Sequence, residues 1–408
     1  MVCIFFKPQS SDDIVEKDLS RTGESMTHFS TILFAVAMWV CSSGCAAPTG
    51  FAEGQVFETK TKDVKFKLET IATGLEVPWG FAWLPNKDLL FTERPGRVRL
   101  IEKGKLKADA VFTVPDVEPS SESGLMDISL HPDFAKNSFV YLAYSYNKDG
   151  KRVKVMRYRY AEGKFTEPTV IIENVPGAPN HAGMRCRFGP DGKLYVTTGD
   201  ATDWNLAQKL DSLAGKTLRL NDDGTIPKDN PFVGTAGARA EIWSYGHRNA
   251  QGLAWQPGSG LMFQTEHGPS FFEGKGSGGD EVNIVERGQN LGWSEIHHTE
   301  KRDGMISPLL EYSPACAPAS AMFYNGSAFP TMKGDFFFSC LRGAKIIRVT
   351  LDGRKVAAQE NLIEGNVGRI REMSEGPDGY IYFSTSNRDG RATPAKDDDR
   401  IMRLVPAN

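Results

Sequence analysis

The residues able to do chemistry fall in short, widely separated clusters. Asn180-His181-Ala182-Gly183-Met184-Arg185 lies before a strand-like stretch that ends in Thr198-Gly199-Asp200. Residues flanking one hairpin return to the same end of it. Asp200 can therefore hold the His181 imidazole, fixing its tautomer and raising its basicity. A structural histidine in a turn is the competing reading. Tyr245 to Leu253 sets a fixed cation, Arg248, beside the amides Asn249 and Gln251 in a glycine-bounded loop. Arg248 suits a developing oxyanion or a carboxylate.

Three segments follow: Glu266-His267-Gly268-Pro269, Gly279-Asp280-Glu281-Val282-Asn283 and Gln289-Asn290-Leu291-Gly292-Trp293. Clustered carboxylates, amides and glycine-exposed carbonyls suit a hard cation such as Ca²⁺, although the spacing is not that of an EF-hand. A solvated acidic loop is the alternative. Arg369 and Arg371, two apart on a strand, share a face. Such a pair suits a ligand with several carboxylates or phosphates, and Arg342 can add a third cation. Walker loops, Rossmann fingerprints, zinc spacings and Gly-x-Ser-x-Gly elbows are absent, so nicotinamide cofactors and serine hydrolysis have no support.

The elements that must position these groups are short strands: Asp88–Thr92, Phe139–Tyr144, Lys193–Thr198, Gly260–Gln264, Asp335–Ser339 and Tyr380–Ser384. Each follows a turn led by a proline, at Pro85, Pro132, Pro190, Pro257, Pro330 and Pro377. Proline presets such turns, and Asp, Asn or Gly completes them. A unit recurring every 40–50 residues or so, with insertions, predicts an all-β chain forming a six-bladed β-propeller with four-stranded antiparallel blades. Val64–Thr73 and Arg400–Val405 are both strand-like, and together they can complete one blade. A propeller gathers loops at one end of its channel, which fits functional residues scattered along the chain.

The 408 residues exceed an ordinary domain, but a large closed β architecture can be one unit. A net charge of −3 excludes a strongly basic nucleic-acid binder. Ile32 to Cys41 is an unbroken apolar run, too short for a bilayer and fit for a secretory signal. Residues 1–47 are accordingly read as a targeting segment, with Met26 an alternative start, 48–63 as a linker and 64–408 as the propeller. No membrane-spanning segment is expected; periplasmic or other export is, with a lipid anchor at Cys45 left open. Six cysteines are too few for a disulfide scaffold. After export, Cys316 and Cys340 either pair or stay as buried thiols.

These segments together resemble the soluble quinoprotein glucose/sorbosone dehydrogenase family, and most of all its aldose sugar dehydrogenases. The resemblance rests on Gly74 to Gly80, Thr92 to Arg97, Ser123-Gly124-Leu125, His131 to Phe134, the His181 and Gly246–Gly252 segments, Gly268-Pro269, Asp280-Glu281 and Asn290 to Trp293. It implies pyrroloquinoline quinone (PQQ) and Ca²⁺ over the channel and an aldose as substrate. His181 would be the general base, oriented by Asp200. Arg248 and Asn249 would contact the quinone. Gly268 and Pro269 would bind the catalytic Ca²⁺, and Glu281 and Leu291 would serve a second one. Arg369 and Arg371 would hold the carboxylates of PQQ. Electrons would leave to a separate carrier.

Four features depart from that pattern. Glu122 stands where Gln is usual beside the cofactor and would repel its carboxylates unless paired or protonated. Arg342 replaces Lys, Ala315 stands near a Thr position, and Ser270–Gly279 looks like an insertion. A Ca²⁺-dependent lactone or ester hydrolase and a non-catalytic sugar- or protein-binding propeller are the alternatives.

Overall fold

The computed structural model describes residues 52–407, Glu53 and Asp63 excepted. The targeting segment, Met26 and Cys45 lie outside the described residues. Six antiparallel sheets follow one another along the chain. Their first strands are Pro78–Trp83, Leu125–Leu130, Gly183–Phe188, Ala250–Trp255, Pro318–Phe323 and Ile370–Glu375. Each first strand packs against those of its two neighbouring blades, and the sixth returns to the first. The result is the expected six-bladed propeller, with these strands around the central axis.

All six proline turns link the first and second strands of a blade. The second strands are Leu89–Glu93, Phe139–Asn147, Leu194–Thr198, Met262–Glu266, Phe336–Cys340 and Ile381–Thr385. Five of them are buried along their whole length, because neighbouring blades cover both faces. That explains why they read as continuous apolar runs rather than alternating ones. Lys65–Ala72 pairs with Ile401–Pro406, so both ends of the propeller complete the sixth blade. The stretch expected to be a linker holds a further strand, Val56–Glu58, at the edge of that blade.

Every first strand carries one extra residue at the same level. The register to the second strand slips by one between Pro78 and Phe81, Leu125 and Ile128, Gly183 and Cys186, Ala250 and Gly252, Pro318 and Ala321, and Ile370 and Met373. Such bulges re-aim side chains. A hydroxyl on the second strand spans the gap to the next blade. Thr92 donates to the Met126 carbonyl, Thr197 to Ala250 (2.8 Å), Thr265 to Ala319 (2.7 Å), Ser339 to Arg371 (2.8 Å) and Ser384 to Pro78 (2.8 Å). Three of these hydroxyls also accept a bulge N–H of their own blade, as Thr197 does from Arg185.

The bulges aim side chains from every blade at the axis. Trp79, Asp127, Arg185, Gln251, Ser320 and Glu372 meet there, all buried. Arg185 bonds Asp127 (3.1 Å), Glu372 (2.5 Å) and the Gln251 carbonyl (2.9 Å), and lies over the Trp79 ring. Arg187 pairs with the same two carboxylates, and Ser320 donates to Glu372. Two cations thus balance two anions. Cys186, Cys316 and Cys340 are buried free thiols.

Removing one partner of a buried ion cluster costs about 3–5 kcal/mol. Arg185→Met is expected to lose that much in a denaturant titration, because Asp127 and Glu372 are left with Arg187 as their one shared cation. Thr197→Val keeps the shape but strands a buried N–H and a buried carbonyl, for roughly 2–3 kcal/mol. An unchanged midpoint for Thr197→Val would show that the hydroxyl bridge is dispensable.

Candidate active site

First strands begin, and second strands end, at one end of the axis, and a cavity of about 790 Å³ opens there. That volume fits a small-molecule site. His181 and Asp200 lie on either side of the third blade's hairpin. His181 Nδ1 is 2.7 Å from Asp200 Oδ1. Asp200 also accepts from Thr202 N (2.8 Å) and from Trp293 Nε1 (2.9 Å). A fully buried carboxylate with that many donors is an acceptor toward the imidazole too. The proton therefore sits on Nδ1 and leaves Nε2 as the free base. The backbone is built for this contact. His181 has φ of 55°, and a Cβ on Gly199 would lie 1.8 Å from the His181 carbonyl oxygen. Lys216, buried below, donates to the carbonyls of Leu206, Ala207 and Ala214 and so fixes the loop that follows Asp200.

Arg248 lines the cavity but is not free. Its guanidinium meets Glu273 at 2.8 and 3.2 Å, donates to Ser270 Oγ (3.1 Å) and lies over the Trp293 ring. Glu273 belongs to the expected insertion, which folds as a 3₁₀ turn over Phe271–Glu273 at the cavity edge. Asn249 is buried behind the wall. It accepts from Gly183 N (3.1 Å) and donates to Glu122 (3.3 Å), so it braces the His181 loop rather than facing the cavity.

Glu122 lies in the wall and is paired, which meets the condition set by its charge. Arg391 Nη1 is 2.5 Å from Glu122 Oε1, and Arg391 also donates to Asn180 (2.8 Å). Burial opposes ionisation of Glu122, but His267, Arg391 and His181 outweigh it and hold the carboxyl down to about 2. Burial lowers His267 to about 4. At neutral pH it is uncharged, and Arg391 is the lasting countercharge. His267 Nε2 is buried with no partner.

Of the three other expected cations, Arg342 and Arg369 line the cavity. Arg369 is tied to Asp389 at 2.8 Å, while Arg342 has no ion pair among the described residues. Arg371 does not line it. The bulge turns it toward the axis, where it donates to Gln251 (3.1 Å) and Ser386 (3.2 Å) over Trp79. Arg369 and Arg371 nonetheless reach one hydrogen-bonded pair, since Asp389 accepts from Arg369 and from Ser386, which in turn accepts from Arg371. Burial lowers Arg371 to about 10, so it stays charged at neutral pH.

Gly268, Pro269 and Asp280 line the cavity. Both Asp280 oxygens are engaged by backbone donors, Gly268 N (2.8 Å), Cys316 N (2.7 Å) and Ala317 N (2.6 Å). Asp280 therefore ties two loops together. Glu281 lies opposite Glu266 and Glu311 across the fourth blade. Burial and the neighbouring Glu266 raise its carboxyl well above the usual range, and Asp280 and Glu311 add to this. Leu291 packs with Tyr195, Leu253 and Met262 in an apolar cluster. Arg391, Glu273 and Thr202 escaped the sequence reading. They sit on irregular loops from blades distant in sequence, and only the ring brings them in.

The propeller and its buried His–Asp pair below an arginine-lined cavity define a class of small-molecule enzyme. A family model described as Glucose / Sorbosone dehydrogenase matches residues 75–395. The chain belongs to the glucose/sorbosone dehydrogenase family. It is 35% identical to the aldose sugar dehydrogenase YliI of Escherichia coli, over 84% of this chain and 93% of that protein. It is 31% identical to quinoprotein glucose dehydrogenase B of Acinetobacter calcoaceticus, over 58% of this chain and 54% of that one. The PQQ-bound aldose sugar dehydrogenase of Streptomyces coelicolor superposes with a TM-score of 0.74 at 32% identity, over 84% of this chain and 99% of that one.

Because Glu122 is held below its ordinary 4.5, its ionisation stabilises the fold above that pH. The contribution is lost as pH falls toward 2. Glu122→Gln should therefore be less stable at pH 7 and show a shallower decline between pH 4.5 and 2. Thermal melts across that window check this; parallel curves would refute the assignment.

Proposed function

We propose that this chain is an exported, PQQ-dependent dehydrogenase that oxidises the anomeric C1 hydroxyl of aldoses to lactones. The observation that carries the reading is the imidazole fixed by Asp200 beside a cavity lined by Arg248, Arg342, Arg369 and Arg391. PQQ carries three carboxylates, and an arginine-rich wall with the unpartnered His267 Nε2 fits it. Arg342 and Arg369 would hold those carboxylates. When bound, PQQ supplies the hydride acceptor for C1.

The remaining chemistry belongs to the chain. His181 Nε2 takes the proton of the C1 hydroxyl, and Asp200 stabilises the imidazolium that results. Trp293 and Thr202 hold Asp200 so that the pair is already oriented before substrate arrives. Arg248, over the Trp293 ring, offers a positive edge to negative charge developing on oxygen. Gly268 and Pro269 would hold a Ca²⁺ supplying Lewis-acid polarisation. The crowded Glu281, Glu266 and Glu311 suit a second cation, whose charge would relieve their repulsion. Export rests on the apolar run Ile32–Cys41, and no helix among the described residues is long and apolar enough to cross a membrane. A separate carrier takes the electrons onward.

The purified chain, stripped with chelator, should reduce an artificial dye with aldoses only after PQQ and Ca²⁺ are restored. His181→Ala should bind PQQ normally yet lose at least about 10²-fold in kcat, the usual scale of general-base catalysis. Failure to bind PQQ at all would sink the reading. Turnover restored by PQQ without Ca²⁺ would remove the metal from it.

A further inference from the structure

An aldose is a neutral polyol, so each hydroxyl it buries must donate to an acceptor. The cavity wall is rich in groups that only donate: Arg248, Arg342, Arg369 and Arg391. Three carboxylates line it. Glu122 is paired with Arg391 and accepts from His181 N and Asn249. Asp280 is engaged by three backbone N–H groups. Glu273 remains. Its Oε2 accepts from Arg248 and Ser270 N, but its Oε1 accepts a single bond, from Arg248 Nε. A carboxylate oxygen has room for more than that.

The position of Glu273 is specific. Its side chain is only 4% exposed, and it reaches within 4.8 Å of ligand atoms on His181 and Asp200. Its neighbour Phe272 also lines the cavity, yet is 82% exposed. A large ring at a cavity edge with its face uncovered suits the apolar face of a pyranose. Phe271, 85% exposed, does not line the cavity. The short turn that carries these residues is anchored rather than loose. Ser270 and Glu273 cap each other, and Lys275 donates to the Ser294 carbonyl at 2.7 Å.

We propose that the Ser270–Gly279 segment is the sugar-recognition element of this enzyme, with Glu273 accepting an aldose hydroxyl and Phe272 covering the sugar ring. The assignment rests on the dehydrogenase reading above and names the residues that select its substrate. The segment sits across from the histidine that takes the proton. A hydroxyl held by Glu273 therefore fixes which carbon faces His181.

The test uses the full chain reconstituted with PQQ and Ca²⁺. Steady-state kcat and KM are measured over a panel of aldoses for wild type, Glu273→Gln, Phe272→Ala and Phe271→Ala. PQQ affinity is measured without sugar by quenching of tryptophan fluorescence, and melts report folding. Loss of a hydrogen bond to a charged acceptor predicts a KM raised about tenfold or more in Glu273→Gln. Its PQQ affinity stays at the wild-type value, and kcat changes less than KM. Phe272→Ala raises KM about threefold to tenfold, and Phe271→Ala leaves it within about twofold. A Glu273→Gln variant with unchanged KM and either lower kcat or weaker PQQ binding would overturn the proposal, because Glu273 would then act only by holding Arg248. Unchanged KM in both Glu273→Gln and Phe272→Ala would overturn it as well. A wild-type protein that binds PQQ but oxidises no aldose would instead sink the dehydrogenase reading, and this assignment with it.

Discussion

The structure depends on four charges gathered where its six blades meet, three of them fully buried and Arg187 half-buried. Asp127, Arg185, Arg187 and Glu372 come from three blades and lie where side chains from the other three close around them. Isolated charges at such depth are untenable, so the groups must arrive together and in register. That requirement sets the angle of each first strand. It accounts for the extra residue found in all six, since a regular strand would point these side chains into the blade-to-blade contacts instead. The cavity is built directly on this level. The bulge that delivers Arg185 to the axis follows immediately after the His181 loop, and the bulge that delivers Glu372 follows Arg369. The geometry of the cavity and the stability of the fold thus share a handful of residues.

Above that level the site is a problem in charge balance. An anionic cofactor calls for cations, yet the cavity also holds carboxylates. The chain handles them by local pairing. Arg391 neutralises Glu122, Asp389 restrains Arg369, and Glu273 restrains Arg248. Arg342 alone among the cavity arginines has no such partner within the described residues. It is the most available charge for an incoming anion. Glu122 is balanced by a residue more than two hundred positions away rather than by its neighbours.

Much of this was legible in the sequence because it is local. Proline turns and apolar runs marked each second strand, and their number set the blade count. His181 and Asp200 flank one hairpin, so their meeting follows from strand pairing alone. The place of Arg371 beneath the cavity lining was not legible, because a bulge cannot be seen in a period-two pattern. The Leu291 side chain serves an apolar cluster, and a carbonyl ligand would leave no trace in side-chain chemistry. Arg391 and Glu273 were missed for the opposite reason: their loops carry no signal until the ring closes. The hydroxyl bridges did leave a trace, a Thr or Ser near the end of five second strands. That repeat is the clue the turn count left unused.

Pairing of Lys65–Ala72 with Ile401–Pro406 gives the propeller an order of assembly. The contact that shuts the ring is almost the longest-range contact in the chain, and long-range pairing is slow because loop-closure entropy must be met first. Five blades can form from neighbouring segments, but the sixth needs Ile401–Pro406 to meet Lys65–Ala72. Until then the edge of Lys65–Ala72 is exposed to other chains. The clasp makes Ile401–Pro406 the segment whose loss would open the ring while leaving the other five blades paired within themselves.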